Sequence, residues 1–221
     1  TVDVTGYQWN WKFGYAEVDG ELTADGKTYD GLDSERQAAA EKTKYDPQDM
    51  HNANPIHGTS MGDQSYLNFN KIETIGSTEE IPVLVLPTET AIEFRLASGD
   101  VNHAFWVPEF LFKRDVYAHP EANQQQRNFQ IEKIEKEGAF VGRCAEMCGT
   151  YHSMMNFEVR AVSPDKFEKY IEYRREHPEA PNSEALRSIG EEPYATTTHP
   201  FVTQRDATRD GDNTVDPNAN V

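Results

Sequence analysis

The sequence is poor in three things: long apolar runs, basic residues and cysteine. Its longest apolar stretch runs only from Ile81 to Pro87, far short of the roughly 18 residues that a membrane helix needs, so the chain as it stands reads as soluble. No signal peptide opens it, and the compartment has to be argued from elsewhere. Hydrophobic residues are 37% of the total and the mean hydropathy is -0.78. That is polar for a compact fold and predicts that much of the chain is loop, insertion or tail. Lys and Arg number 21 against 38 Asp and Glu, a net charge of -17. Nucleic acid is excluded as a partner on that ground, because phosphate backbones reward basic side chains. Residues 14–65 hold eleven acids and four bases, a net of -7, and residues 177–221 hold eight acids and three bases, a net of -5. Such surface either only solubilises the chain or steers a basic partner. Cys144 and Cys148 are the only cysteines among 221 residues. They pair with each other, bind a metal together, or stay free.

What is present is a series of short alternating segments. Val2, Val4, Tyr7, Trp9, Trp11 and Phe13 alternate with mostly polar residues and predict a strand over 1–13. Further strands are predicted at 66–74, 81–86, 90–97, 101–107, 128–134, 139–144 and 155–162. Many short strands at this spacing imply an all-β sandwich or barrel. Residues 14–65 lack the alternation and read as an acidic insertion, interrupted by one short helix from Ser34 to Lys44. Ser163-Pro164 starts a C-terminal helix, with Ser at the N-cap and Pro in the first turn, and Pro178 stops it. The reading is one domain over 1–176 followed by a loosely structured acidic tail over 177–221.

The chemistry sits between two strands, in Cys144-Ala-Glu-Met-Cys148-Gly-Thr-Tyr-His152-Ser-Met-Met155. Thiolate, imidazole and thioether together select copper over hard cations. A mononuclear blue-copper site uses one thiolate, and this loop has two, which can bridge two coppers. A coupled pair spreads one oxidation change over two metals and suits fast one-electron transfer. The second imidazole has to come from outside the loop, and His103, heading the apolar segment Val101–Val107, is the candidate. Taken alone, His103 reads as a core histidine, Met155 as a core methionine and Glu146 as a solvated acid. A Cys144–Cys148 disulfide and a zinc site closed by His103 are the competing readings of the loop, and neither has a use for Met155. A copper carrier would use the same ligand types in a more open site.

Three ordered motifs, G-Y-Q-W-N-W at 6–11, D-V-N-H-A-F-W-V-P at 100–108 with Lys113-Arg-Asp115, and the loop at 144–155, closely resemble subunit II of the haem–copper respiratory oxidases. The resemblance spans residues 1–13 and about 66–175. It implies a cupredoxin-like Greek-key β-barrel and a binuclear copper centre held by His103, Cys144, Cys148, His152, Met155 and the backbone carbonyl of Glu146. The Glu146 carboxylate would then reach a magnesium ion at the junction with the catalytic subunit. Trp9 matches the family's electron-entry tryptophan, whereas Trp11 reads as core, and Asp100 matches an acid of the cytochrome docking patch. The implied partners are a c-type cytochrome donor and the oxidase's catalytic subunit. The implied place is the outer face of a bacterial plasma membrane, anchored by N-terminal helices that this chain does not contain. The domain of a nitrous-oxide reductase shares the loop, but the Lys113–Asp115 segment resembles the oxidase more. The insertion, and Val116-Tyr-Ala-His-Pro120 in place of the common Pro-Gly-Arg, resemble the actinobacterial branch, in which the donor is a haem subunit of a membrane-bound bc complex. The insertion and tail are expected to clamp that subunit.

Overall fold

The computed structural model describes residues 1–16, 31–43 and 63–200. Strand β1 (Val2–Tyr7) turns into β2 (Asn10–Tyr15) as an antiparallel hairpin. The single strand predicted over 1–13 is therefore two. Alternation continues on both arms, and the reversal at Gln8 and Trp9 lacks the Asn-Gly or Asp-Gly pair that signals a tight hairpin. Helix α1 (Ser34–Glu41) follows, close to the short helix expected there, with the Asp33 carboxylate accepting from the Glu35 and Arg36 amides. The predicted strand at 66–74 contracts to β3 (Glu73–Ile75). Ahead of it the chain is held by side chains, as where the buried Asn70 amide donates to Asp3 at 2.9 Å.

Six strands match their predictions to within a few residues: β4 (Val83–Pro87), β5 (Ile92–Ser98), β6 (His103–Val107), β8 (Asn128–Ile131), β9 (Gly138–Cys144) and β10 (Asn156–Val162). Strand β7 (Phe112–Val116) was not anticipated, because it is an edge strand whose first residues are exposed and carry no alternation. Strand β10 (Asn156–Val162) leads into α2 (Pro164–Glu176), whose N-cap is Ser163 as expected.

The strands form two five-stranded sheets, ordered β3-β2-β1-β5-β8 and β4-β10-β9-β6-β7. Pairs β1–β5 and β4–β10 are parallel and the rest antiparallel. Val4, Trp11, Phe13 and Phe94 of the first sheet meet Val85, Phe105, Phe157 and Val159 of the second in one core. The rings of Phe105 and Phe157 stack at 4.8 Å, and Trp11 stands edge-on to Phe157 at 5.4 Å. This is the cupredoxin-like barrel that the resemblance implied.

Most of the predicted insertion, residues 17–30 and 44–62, lies outside the described residues, as does the tail from 201. Its described part is seated on the first sheet. Arg36 pairs with Glu73 at 2.7 Å, and Asp33 N donates to Phe69 O at 2.9 Å. The expectation of a loose tail from residue 177 fails as far as residue 200. Helix α3 (Asn182–Ser188) buries Ala185 and Leu186, and Asn182 donates to Val83 O at 3.1 Å. Charge and Pro content hid it, since seven residues are too few to display a helical period. Beyond it, the fully buried Glu158 of β10 accepts from the amides of Thr196 and Thr197 at 2.7 and 2.8 Å. Leu186→Ala should therefore destabilise the whole barrel by about 2–5 kcal/mol, the usual cost of a buried Leu truncation, read by urea denaturation. A loss within about 0.5 kcal/mol, as at a surface site, would mean that α3 is not part of the cooperative fold.

Candidate metal centre

His103 opens β6, Cys144 closes β9, and Met155 stands one residue before β10. Because β6 and β9 pair antiparallel, with Phe105 opposite Cys144, these ends meet at one rim of the second sheet. The rim is fixed by backbone: Cys144 N donates to Met155 O at 3.1 Å and Ala145 N to Ala104 O at 3.0 Å. A one-turn 3₁₀ helix over His152–Met154 folds the loop back and brings His152 over the sulfurs.

Cys144 Sγ lies 3.8 Å from Cys148 Sγ, 3.9 Å from His103 Nδ1 and 3.1 Å from the Glu146 carbonyl oxygen. Cys148 Sγ lies 3.5 Å from His152 Nδ1 and 3.8 Å from Met155 Sδ. Both cysteines are free, and their separation far exceeds the roughly 2.0 Å of a disulfide bond. His103, Cys144 and Cys148, all buried, form a group able to hold a metal ion. The sequence-predicted set thus converges: two thiols, two imidazoles turned Nδ1 inward, one thioether and one carbonyl.

Electrostatics agree with a cation between the sulfurs. The hydrogen bond from Cys148 holds the Cys144 thiol down at about 3, against burial. The same bond, with burial and the Cys144 charge, pushes Cys148 well above the ordinary thiol range. Two thiols this close do not both ionise without a compensating cation.

Asp100, expected at a docking patch, is partly buried and has a side chain only 8% exposed. Its carboxylate takes a 2.9 Å bond from His103 Nε2 and 2.7 Å bonds from the Gln8 and Val101 amides. A carboxylate on Nε2 keeps the proton there and leaves the Nδ1 lone pair facing the sulfurs. Burial alone would lower the His103 pKa, yet the bond to Asp100 and the nearby Cys144 outweigh it and raise it overall.

Trp9, half-buried at the hairpin tip, donates from Nε1 to the Cys148 carbonyl at 3.0 Å and stands edge-on to Tyr151 at 5.0 Å. Trp11 is fully buried beneath the centre, as expected, 6.0 Å from the His103 ring. Tyr151 is 42% exposed, and Met147, the residue before Cys148, is 73% exposed. The Glu146 side chain is exposed on the outer side. There the Tyr117 hydroxyl donates to Asp115 at 3.0 Å, and that bond, with the charges of Asp115 and Glu146, raises the Tyr117 pKa. Sequence reasoning missed Gly6, where a Cβ would stand 2.8 Å from the His103 ring, and Gly149, at φ +121°. Both lie inside the quoted motifs, but only the fold reveals what presses on them.

The family model "Cytochrome C oxidase subunit II, periplasmic domain" matches residues 44–162, more than half of the chain and every predicted copper ligand. The chain belongs to the cytochrome c oxidase subunit II family. It is 71% identical over 213 residues to cytochrome c oxidase subunit 2 of Corynebacterium diphtheriae, covering 96% of this chain and 58% of that protein. It is 66% identical over 214 residues to the Corynebacterium glutamicum protein of the same name, covering 97% and 59%. The chain thus spans just under 60% of the length of these curated relatives, and they accord with the actinobacterial likeness. A solved structure, the periplasmic domain of subunit II of cytochrome oxidase from Bradyrhizobium japonicum, is 22% identical with a TM-score of 0.45, covering 79% of this chain and 92% of that one.

In this subunit II chain, a Cβ at Gly149 would lie 3.0 Å from Trp9 Nε1 in addition to its strained φ. Gly149→Ala should cost about 1–3 kcal/mol and change the Trp9 environment. Thermal unfolding and tryptophan fluorescence check this; an unchanged Tm with unchanged fluorescence would refute it.

Proposed function

We propose that this chain is the electron-relay domain of a terminal oxidase, taking electrons from a c-type cytochrome and passing them to haem in the catalytic subunit, where dioxygen is reduced to water. The observation that carries this is the convergence of His103, Cys144, the Glu146 carbonyl, Cys148, His152 and Met155, capped by the Trp9 indole. The donor set fits a binuclear copper centre: two thiolates to bridge, an imidazole for each metal, and two weak outer ligands. Zinc would leave Met155 without a role. When bound, such a pair supplies one-electron chemistry in which bond lengths change little.

The chain's own residues do the rest. His103 and Met155 are sealed from water by the barrel, which keeps hard oxygen ligands away from the sulfurs. Asp100 orients His103 and so acts from beneath the centre. Trp9 links the outer surface to a ligand residue through one hydrogen bond, the arrangement expected of an entry side chain. Tyr151, edge-on to Trp9, and the exposed Met147 next to Cys148 in sequence would offer an apolar contact for the donor. The exposed Glu146 carboxylate would reach a magnesium ion where the catalytic subunit docks. The family's description as a periplasmic domain supports a place on the outer face of the plasma membrane. No described helix is long and apolar enough to cross one. A donor held permanently in a bc complex, with the acidic insertion as its clamp, is the partner that the sequence favours.

Elemental analysis of the copper-loaded chain should give two coppers, and its EPR spectrum a hyperfine pattern from two equivalent nuclei; Cys144→Ser or Cys148→Ser should abolish that pattern. Zinc, or a single-nucleus copper pattern, would sink the reading. Trp9→Phe should leave the spectrum unchanged and slow electron uptake from the cytochrome. Unchanged uptake would make Trp9 a packing residue.

A further inference from the structure

Gln8 lies between two tyrosine- and tryptophan-rich neighbours and is neither a copper ligand nor core. Its side-chain amide donates from Nε2 to the Cys148 carbonyl at 2.8 Å. Its backbone N–H donates to Asp100 Oδ2 at 2.7 Å, and the other oxygen of Asp100 holds His103 Nε2 at 2.9 Å. One residue of the first sheet therefore touches both halves of a centre built on the second: the loop that carries Cys148 and the strand that carries His103. We propose that Gln8 is a positioning residue of the metal centre, fixing the middle of the ligand loop through the Cys148 carbonyl; this rests on the reading of that loop as a copper site.

Three observations support it. Cys148 is midway along the loop, away from the backbone bonds that tie its base at Cys144 and Ala145. Gly149 makes room for the clasp, since a Cβ there would come within 3.1 Å of Gln8 Nε2. The amide is turned inward onto a ligand residue's carbonyl, which a residue serving only to contact a docked partner would not require. Partners of this kind orient ligands and tune metals, and their loss typically weakens metal binding roughly 10–100-fold. The N–H dipole also points its positive end at a carbonyl beside two thiolates. It favours the reduced, less positive centre, so its removal should lower the reduction potential. Gln8 is the cleaner of the two donors to remove, because Trp9 also packs on Tyr151.

The test compares the 221-residue chain with Gln8→Ala and the near-isosteric Gln8→Glu, which puts an acceptor where the donor stood. In the metal-free proteins, amide hydrogen exchange should quicken over residues 145–151 and stay unchanged in the sheets. In the copper-loaded proteins, release to a chelator should be roughly tenfold faster for Gln8→Ala, and the potential lower. Gln8→Glu should lower the potential further. Wild-type loop exchange and potential in both variants would overturn the proposal, and so would exchange that quickens evenly over the whole barrel. If the unaltered chain took up no copper, the copper reading would fall, while loop exchange would still decide whether Gln8 holds the loop.

Discussion

Two buried thiols 3.8 Å apart are the constraint on which this end of the molecule depends. Like charges that close cannot both persist in a poorly solvated place without a cation, and nothing inside a hydrophobic core would draw them together. They stay close because they are fixed from outside. Cys144 is held by the β-ladder and by the Met155 carbonyl, and Cys148 by a carbonyl that accepts two side-chain bonds from the hairpin tip. The imidazoles are held in the same way, His103 through Asp100 and His152 through its 3₁₀ turn. The bonds that fix the donors come from the scaffold's own backbone and side chains, which suits a site whose geometry should change little in function.

The position of the centre follows from the sheet order. Strands β6, β9 and β10 are neighbours in one sheet, so a ligand at the start of one, at the end of the next and just before the third shares a rim. The hairpin tip of the other sheet closes over that rim. Strand β10 is tied down from behind as well, by Glu158 and the segment that returns over it. Met155 thus leads directly into one of the best-anchored strands of the barrel. A ligand loop on a rigid base is the usual division of labour between function and fold.

Along the sequence, acidic residues are concentrated in the insertion and the C-terminal region. Around the hairpin tip stand aromatic groups instead, the half-buried Trp9 and the exposed Tyr151 packed edge-on to it.

The sequence by itself determined the ligand types, because their chemistry is written in a contiguous loop: two thiols, an imidazole and a thioether at 144–155 need no fold to be read together. It determined most strands of the barrel, whose short apolar or alternating runs are local, and the capped start of α2. Only the tertiary structure decided what Asp100 and Gln8 do, since each acts on residues far along the chain, and a short polar side chain looks the same in sequence whether it faces water or a ligand. The same reason hid the hairpin inside residues 1–13, the edge strand β7 and the docking of α3. Their places are set by what they pack against, and nothing within a few residues of them records it.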